Sequence, residues 1–470
     1  MFWTSPTLAA GVAARWLTPT REFTLSPGVC TDTRAIDASK LFIALRGEKH
    51  DAHAFLSQVV AAKSQLIVID REDAFATIRE SAALANTSVL LVHDTAAALL
   101  SLAKAYREYL GTHGTTFVAV GGSNGKTSTV RMLQAVLSQS LRGSSSQKSF
   151  NNAIGVPLTI LGAKPTDQYL ICEAGTNAAG ELEVLAQTIE PDIGVITSIG
   201  REHLEGFKDV SGVLREEASL FKYLKNGGVA VLCADAPGLV DAVKSFAGRL
   251  LGGIITFGFH PAADVRITKF ETSFEGVRFT LHDRSSFFVP LVGKHNASNA
   301  AAAIAVGRRL GLTNEAIEAA LAKATGPEMR LERREIAGVR FLNDAYNANP
   351  ESMLAAAEVL ESVSRELKPQ RRVVVLGDML ELGEATRDSH TEVARVFGGT
   401  APDLAIVVGP HFSSNVALFS GKTTVVALPD LSDGRDAAAA GMLAAGDLVL
   451  LKGSRGIGLE RVIKAFEAPR

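Results

Sequence analysis

Short apolar runs alternate with amphipathic stretches along most of this chain, and the alternation divides it into three sections. The first section contains two apolar runs, LFIAL (41–45) and QLIVID (65–70), and a helical run over 91–111 that ends at Gly111. Apolar runs bounded by turn residues predict strands, and the longer amphipathic run predicts a helix. Residues 1–110 are therefore predicted to form an N-terminal α/β domain.

The middle section repeats this alternation with more strands. A more polar stretch, 254–290, is predicted to be antiparallel, and VGKHNASNAAAAIAVGRRLGL after it predicts a strong helix. Continuous apolar strands separated by helices indicate a parallel sheet that is buried on both faces. The predicted strands are FVAVGG, YLICEAG (169–175), DIGVITSI (192–199) and GVAVLCA (228–234).

A junction is predicted at KATGPEMRLERR (323–334), and a third alternating section follows it. Its predicted strands are FLNDAY, RRVVVLGD (371–378), LAIVVGP (404–410) and DLVLLKGS (447–454). Strands separated by helices predict a doubly wound, Rossmann-like domain. The predicted fold class is thus α/β with three domains: 1–110, 111–325 and 326–470.

Composition narrows the class of protein. A length of 470 residues fits about three domains, and a net charge of −2 gives no electrostatic case for nucleic-acid binding. Three cysteines lie far apart without metal-ligand spacing, which fits the reducing cytoplasm. The first residues, MFWTSPTLAAGVAARWL, predict a helix of the fold and not a signal peptide. Since no run of about 18 apolar residues occurs, no membrane span is expected.

The strongest local motif is VAVGGSNGKTSTVRMLQAVL, in which a strand, a glycine-rich turn and a helix follow one another. Glycines let backbone N–H groups approach phosphate oxygens, and a helix N-terminus favours an anion. In this pattern Lys126 would hold the β- and γ-phosphates and Thr127 would ligate Mg²⁺. Val120 stands where the general pattern has its first glycine, so an ordinary glycine-rich turn remains the alternative. The candidate nucleotide-binding residues are Gly122, Ser123, Asn124, Gly125, Lys126, Thr127 and Ser128.

The loop GGSNGKTST resembles the T-G-T-N-G-K-T loop of the Mur ligases and of the related folylpolyglutamate synthases. Further segments similar to the Mur ligases follow in family order over nearly the whole chain: SFNNAIGVPLTIL (149–161), ICEAGTNAAGELE (171–183), REHLEGF (201–207), GKHNASNAAAAIAV (293–306), NDAYNANPESM (343–353), VLGDMLELGE (375–384) and LLKGSRGIGLE (450–460). The resemblance implies an ATP-dependent ligase that converts a carboxylate to an acyl phosphate, which an amine then attacks. A cytoplasmic enzyme is expected, and a three-domain ligase with its own cleft need not be more than a monomer.

Two of these segments narrow the expected substrates. YNANP and LGDMLELGE resemble the family members that add D-alanyl-D-alanine to UDP-N-acetylmuramoyl-tripeptide in peptidoglycan synthesis, and the D-N-P-R loop of the diaminopimelate-adding member is absent. The alternative is another amide ligase of the same fold, which acts on UDP-muramoyl dipeptide or on folate. Two other classes of protein are alternatives: a P-loop phosphotransferase, which needs no third domain, and a non-enzymatic nucleotide switch, which needs no metal-binding carboxylates.

Besides Thr127, three residues are predicted to surround magnesium. Glu173 ends an apolar strand near the phosphate loop, where a carboxylate is well placed for Mg²⁺. The resemblance implies the same role for it and a second Mg²⁺ for His203. Family members carry a carbamylated lysine fourteen residues later, and Glu217 stands there. We expect the Glu217 carboxylate to replace the carbamate, and the alternative is a solvated helix residue next to Glu216.

The resemblance assigns the remaining candidates to ATP and to the two substrates. Asn296 and Asn299 would contact adenine, although Asn296 could instead cap a helix. Arg330 would reach the ATP phosphates and Asp344 the ribose, so a cleft between the second and third domains is expected to close over ATP. The candidate substrate-binding residues are Thr33, Arg34, Asn151, Asn152, Tyr346, Asn347, Asn349, Lys452, Ser454 and Arg455.

Overall fold

The N-terminal sheet has β1 antiparallel to its neighbour and the other strands parallel. The computed structural model describes residues 1–47, 50–147, 149–248, 251–419 and 421–468. Among these, the first sheet has the order β1-β5-β4-β3-β2. Its elements are α1 (Ser5–Gly11), β1 (Arg15–Trp16), β2 (Val29–Cys30), β3 (Leu41–Ile43), α2 (Leu56–Ala61), β4 (Leu66–Ile69), α3 (Glu72–Leu84), β5 (Ser88–Leu91) and α4 (Thr95–Thr112).

The middle sheet is parallel through its centre and ends in an antiparallel meander. Among the described residues its order is β14-β13-β12-β11-β10-β9-β6-β8-β7, with β12 to β14 antiparallel. Its elements are β6 (Thr116–Gly121), α5 (Lys126–Leu137), β7 (Gly143–Ser145), α6 (Gly155–Gly162), β8 (Tyr169–Glu173), α7 (Glu181–Ile189), β9 (Ile193–Ile196), α8 (Leu204–Phe207), α9 (Val210–Ala218), β10 (Gly228–Cys233), α10 (Leu239–Ala247), β11 (Leu251–Gly258), β12 (Val265–Thr272), β13 (Val277–Leu281), β14 (Ser286–Val289), α11 (Lys294–Arg309) and α12 (Asn314–Leu321).

The C-terminal sheet belongs to what we call the C-terminal unit, the described residues of 329–468. Its order is β15-β16-β20-β17-β18-β19, and β15 alone among these strands runs antiparallel to its neighbour. Its elements are β15 (Glu332–Ile336), β16 (Val339–Asp344), α13 (Pro350–Leu367), β17 (Arg371–Gly377), α14 (Thr386–Gly399), β18 (Leu404–Val408), α15 (Pro410–Ser413), β19 (Thr424–Leu428), α16 (Arg435–Gly441), β20 (Asp447–Lys452) and α17 (Glu460–Glu467).

The predicted α/β class is confirmed. The stretch 254–290 is antiparallel only from β12 onward, because β11 pairs in parallel with both β10 and β12. One helix boundary was also wrong. The helical run predicted over 91–111 begins only at Thr95, because Leu91 is the last residue of β5. Asp94 ends the intervening loop, and its carboxylate accepts a hydrogen bond from the Ala97 N–H and thereby caps α4.

Helix α4 joins the N-terminal sheet to the middle sheet. Its buried Tyr106 donates a hydrogen bond to the Ala163 carbonyl (2.8 Å), and its buried Arg107 donates to the Ile189 carbonyl (2.9 Å). One apolar cluster runs without a break from one face of the N-terminal sheet into the middle sheet, whereas the C-terminal sheet has separate clusters on its two faces. The N-terminal unit, which carries β1 to β5, and the middle unit, which carries β6 to β14, therefore share a core. The C-terminal unit has core clusters of its own, and one of them also includes Val292 of the middle unit.

Within the part of the chain that the structure describes, no helix combines the length and apolarity that crossing a membrane would require.

Candidate active site

The phosphate loop connects the central strand β6 to helix α5. Gly122 and Gly125 have φ values of +117° and +89°, which side chains rarely tolerate. A Cβ on Gly122 would collide with Thr197, and one on Gly125 would collide with the Asn299 side chain. The loop thus needs glycine at both positions, and its backbone follows the path that the motif predicts.

Lys126 opens α5 in the midst of buried carboxylates. Its ammonium contacts the Gly122 carbonyl and lies 3.7 Å from Glu202 Oε2. Burial opposes the charge on Lys126, but Glu202, Glu217 and Glu173 outweigh it and raise its pKa. The lysine is held as a cation at the end of β6, where a phosphate could replace its present partners.

Glu173 and Glu217 meet at this loop from different elements. Glu173 ends β8 directly beside Val120 of β6, and Glu217 comes from α9 and accepts a 2.7 Å hydrogen bond from the Gly122 N–H. Both residues are 1% exposed. The alternative of a solvated Glu217 is therefore wrong, and burial raises its pKa. The neighbouring Glu216 instead holds the turn before α7, since it accepts from the Gly180 and Leu182 N–H groups.

Three buried oxygens at the loop have no hydrogen-bond partner: Thr127 Oγ1, Glu173 Oε2 and Glu217 Oε1. Buried polar atoms are nearly always paired, so oxygens left in this state point to a bound group. A hydroxyl and two carboxylates are the oxygen ligands that Mg²⁺ prefers. The residues present therefore fit a magnesium ion beside a phosphate.

His203 does not join these three oxygens. Its Nδ1 lies 2.6 Å from Glu381 Oε2 of the C-terminal unit. Among the described residues, no three His, Cys, Asp or Glu side chains are arranged to hold a metal ion. The predicted set of Thr127, Glu173, His203 and Glu217 is thus not brought together as a whole, because the imidazole is engaged across the interface between units.

The first turn of α11 lies against the phosphate loop. Asn299 and Asn296 are both buried, and Asn299 Nδ2 donates to Asn296 Oδ1 (3.3 Å). Asn296 Nδ2 donates to the Val292 carbonyl (2.8 Å), and the helix begins after Gly293. The alternative that Asn296 caps the helix is therefore wrong, since its side chain accepts no hydrogen bond from an N–H of the first turn.

The C-terminal unit places Arg330 and Asp344 opposite the loop. The Arg330 guanidinium stacks on the Tyr346 ring at 4.3 Å. Asp344 ends β16 and pairs with the ammonium of Lys452 at 2.9 Å. Lys452 is 2% exposed and also donates to the Asn347 carbonyl (2.8 Å). Lys452, a candidate substrate-binding residue, is thus not a free cation, because its ammonium already neutralises Asp344.

The other C-terminal candidates mostly organise loops. Asn349 caps α13 and donates to Asn124 Oδ1 of the phosphate loop at 3.0 Å. The Tyr346 hydroxyl donates to Ser149 Oγ (2.8 Å), and Ser454 Oγ accepts from the Leu380 N–H (3.0 Å). Arg455 is exposed and pairs with Glu460.

The four candidates for the UDP-linked substrate lie in the N-terminal and middle units, away from Arg330 and Asp344. Thr33 and Arg34 form a single turn, in which Arg34 pairs with Asp32 and lowers the pKa of that carboxyl to about 2. Asn151 Nδ2 donates to Glu173 Oε1 (3.0 Å), and Asn152 Oδ1 accepts from the Gly155 N–H at the start of α6. Helix α6 contacts β2, which ends three residues before Thr33, so the element that follows Asn152 packs against the N-terminal sheet close to this turn.

A cavity of about 820 Å³ separates the middle sheet from the C-terminal unit. One face of α13 forms its far wall. The candidate residues that line it are Asn124, Gly125, Ser128, Asn296, Asn299, Arg330, Asp344, Asn347 and Lys452. The cavity is thus large enough to hold a nucleotide whose phosphates lie at the glycine turn.

Sequence reasoning did not predict the contacts of the segment 200–203. Arg201 pairs with Glu351 and Glu392 of the C-terminal unit, and Glu202 is 5% exposed beside Lys126. Arg201, Glu202 and His203 all lie in REHLEGF, but nothing in one sequence indicates which distant carboxylates such residues meet.

The fold and the site define a P-loop α/β enzyme in which a separate C-terminal unit covers the phosphate loop. Comparison with known proteins agrees with this class. Residues 120–307 match the Mur ligase middle domain, and residues 329–455 match the Mur ligase glutamate ligase domain.

Relatives match over nearly the whole chain. The UDP-N-acetylmuramoyl-tripeptide–D-alanyl-D-alanine ligase of Bacillus subtilis (strain 168) is 34% identical over 96% of this chain and 95% of its own. The crystal structure of MurF from Acinetobacter baumannii superposes with a TM-score of 0.84 at 29% identity, covering 99% of this chain and 98% of that one. MurF from Thermotoga maritima in complex with ADP gives a TM-score of 0.77 at 25% identity, with coverages of 94% and 97%. The chain belongs to the Mur ligase family and is an enzyme of the ligase class.

Proposed function

We propose that this enzyme uses ATP to join D-alanyl-D-alanine to UDP-N-acetylmuramoyl-tripeptide, and so forms the UDP-muramoyl-pentapeptide of peptidoglycan synthesis. Relatives named for this reaction match 83–96% of the chain at 30–34% identity. The observation that carries the chemistry is the convergence of Lys126 with three unpaired oxygens at the phosphate loop.

Joining a carboxylate to an amine is uphill in water, and ATP overcomes this by phosphorylating the carboxylate. The substrate carboxylate attacks the γ-phosphorus, ADP leaves, and the amine then displaces phosphate from the acyl phosphate. Lys126 would neutralise the transferring phosphoryl group, and Arg330 would approach it from the C-terminal unit. Most of the rate then comes from positioning and charge neutralisation.

Magnesium would bind where Thr127, Glu173 and Glu217 offer unpaired oxygens. When bound, it neutralises charge on the phosphate oxygens. His203 would join the metal only after leaving Glu381, to which it is paired in this structure. Glu217 would take the place of the family's carbamylated lysine, because its head is already a carboxylate and needs no CO₂.

The two substrates would enter from opposite sides. The uridine end of the tripeptide substrate would lie on the N-terminal unit near Thr33 and Arg34, and Asn151 and Asn152 would contact its muramoyl part. Tyr346, Asn347 and Asn349 would shape the pocket for the nucleotide and D-alanyl-D-alanine on the C-terminal unit, and Ser454 and Arg455 would meet the terminal carboxylate of the tripeptide. Asn296 and Asn299 would contact adenine, and Asp344 the ribose. Lys452 would act on this pocket mainly through Asp344, because its ammonium is buried in that ion pair.

Residues 1–110 would bind the UDP-linked substrate, residues 111–325 would bind ATP, and residues 326–470 would bind the amine. It locates the reaction in the cytoplasm, where ATP and the UDP-linked substrate are made. A monomer suffices, since all proposed groups come from one chain.

A substrate screen tests the proposal. The purified enzyme receives ATP, Mg²⁺ and UDP-muramoyl dipeptide, UDP-muramoyl tripeptide or folate, each with candidate amines, and phosphate release and product mass are recorded. We expect phosphate release that needs both UDP-muramoyl tripeptide and D-alanyl-D-alanine, with a pentapeptide product. Turnover with only the dipeptide or only folate would replace this proposal with the other amide ligases of this fold.

A further inference from the structure

The segment 200–203, directly after β9, touches two parts of the enzyme at once. On one side the Gly200 N–H donates to Ser123 Oγ of the phosphate loop (2.9 Å), and Glu202 lies 3.7 Å from the Lys126 ammonium. On the other side Arg201 and His203 point to the C-terminal unit. This segment therefore connects the group that would hold phosphate to the unit that would deliver the amine.

Arg201 makes four hydrogen bonds to two carboxylates of the C-terminal unit. Its backbone N–H and Nε donate to the two oxygens of Glu351 (3.0 and 2.7 Å), and its two terminal nitrogens donate to those of Glu392 (2.6 and 3.3 Å). Paired bonds of this kind fix both distance and orientation, which a lysine cannot do. A Cβ on Gly200 would come within 3.3 Å of the Glu351 side chain, so a small residue there permits the approach. We call Arg201, Glu351 and Glu392 the clasp.

The clasp joins separate helices of the C-terminal unit. Glu351 lies in the first turn of α13, where a carboxylate also stabilises the helix N-terminus. Glu392 lies on α14. Next to the clasp, His203 pairs with Glu381 in the loop that follows β17. Three carboxylates from three elements of the C-terminal unit thus contact Arg201 and His203 of the middle unit.

The C-terminal end of α13 lies next to apolar contacts between the C-terminal unit and the middle unit. There the turn between β12 and β13 inserts Phe274 against the core of the C-terminal unit, and Val292 is part of the same core. Arg333 donates to the Phe274 carbonyl (2.7 Å), and the Phe274 N–H donates to Glu366 (2.6 Å). The 18 residues of α13 span about 27 Å between these two ends.

The contacts at the two ends of α13 differ in the free energy needed to separate the C-terminal unit from the middle unit. Parting the apolar end would expose core residues to water, whereas each hydrogen bond of the clasp can be replaced by one to water. Opening by rotation about the apolar end would therefore break the clasp first. Because one face of α13 lines the cavity, this rotation would also withdraw Arg330 and Asp344 from the phosphate loop.

We propose that Arg201 is a positioning residue which, through Glu351 and Glu392, holds the C-terminal unit closed over the phosphate loop during turnover. This inference rests on the proposed function for its kinetic consequence. The amine binds productively only to the closed form. Its apparent affinity therefore falls in proportion to the fraction of enzyme molecules that are closed. The UDP-linked substrate binds the other two units, and its apparent affinity does not depend on closure.

The test compares Arg201→Gln with Arg334→Gln in the full-length enzyme. Arg334 is the matched control, because its pairing with Glu467 lies wholly within the C-terminal unit. With Mg²⁺ and a non-hydrolysable ATP analogue, small-angle scattering should give a larger radius of gyration for Arg201→Gln than for the wild type or the control. In steady state, the KM for D-alanyl-D-alanine should rise roughly tenfold, with the KM for UDP-muramoyl tripeptide unchanged. Glu392→Gln should reproduce the direction of both effects from the other side of the interface.

Added salt gives an independent readout, since it screens partly exposed ion pairs. Raising NaCl should increase the wild-type KM for the amine and leave that of Arg201→Gln nearly constant. If Arg201→Gln and Glu392→Gln match the Arg334→Gln control in scattering and in both KM values, the clasp has no positioning role. A rise in both KM values together would also overturn the proposal, because it would indicate general damage. If the wild type turns over none of these substrates, the proposed function fails while the scattering comparison still decides the clasp.

Discussion

Replacing Lys452 with methionine should destabilise the C-terminal unit by about 3 kcal/mol. Lys452 and Asp344 end the neighbouring parallel strands β20 and β16 in direct register. The lysine side chain is 2% exposed and the aspartate side chain 14% exposed. Methionine fills a similar volume but leaves the Asp344 carboxylate without its counter-charge and the Asn347 carbonyl without its donor.

The magnitude follows from the burial of the pair. Removing one partner of a buried ion pair costs about 3–5 kcal/mol, and the partial exposure of Asp344 places this case at the lower end. The double variant Lys452→Met/Asp344→Asn removes both charges and should recover all but about 1 kcal/mol. Arg15→Met is the control, because Arg15 and Glu72 form a pair whose side chains are 62% and 65% exposed. It should cost less than about 1 kcal/mol.

Amide hydrogen exchange of β16, β17 and β20 is the appropriate assay. Both tryptophans, Trp3 and Trp16, lie in the N-terminal unit, so tryptophan fluorescence reports the wrong part of the molecule. A loss of about 3 kcal/mol corresponds to more than hundredfold faster exchange through opening of the C-terminal sheet. Unchanged exchange in Lys452→Met, or equal losses in the single and double variants, would refute the assignment of Lys452 to a buried ion pair.

Three further predictions concern the loop, the metal and acid stability. Gly125→Ala should abolish ATP-analogue binding measured by calorimetry, whereas Gly114→Ala, with nearly the same φ (+88°) and open space around it, should not affect it. Glu217→Gln should reduce Mg²⁺-dependent activity by about tenfold or more, and bicarbonate should not change wild-type rates; unchanged activity would exclude Glu217 as a ligand. Burial lowers the pKa of His390, so the native state binds fewer protons than the unfolded chain. The free energy of unfolding should therefore fall as pH drops below about 6.5. Urea unfolding of His390→Gln should show a smaller loss of this free energy between pH 7 and pH 5.5 than the wild type shows.

The central strands could be predicted because burial on both faces leaves a continuous apolar run. The predicted runs at 169–175, 228–234 and 404–410 each contain the observed strand. The edge strands β1 and β2 have two residues each, too few for any periodicity to show. Strand β5 was missed because its last residue, Leu91, was included in the helical run predicted over 91–111.

The phosphate loop was predictable because its chemistry is local: two glycines, a lysine and a threonine act within six residues. The ligand set around it was only partly predictable, because it depends on tertiary contacts. Glu173 could be placed from strand order alone, whereas His203 lies in the correct segment but pairs with Glu381, 178 residues away. The sequence does contain a signal for the burial of Lys452. This lysine directly follows DLVLL and is the last residue of a strand that is buried along its whole length.

The three sheets do not imply three independent bodies. The shared apolar core and the buried Arg107 of α4 make separation of the N-terminal and middle units costly, because it would expose that core and leave the guanidinium without its carbonyl partners. The C-terminal unit instead meets the phosphate loop through polar contacts, such as the one between Asn349 and Asn124. Water can replace these contacts at little cost, and interfaces of this kind allow relative motion. The chain thus keeps the proposed surface for the UDP-linked substrate rigid relative to Lys126, and it leaves movement to the unit that would bring the amine.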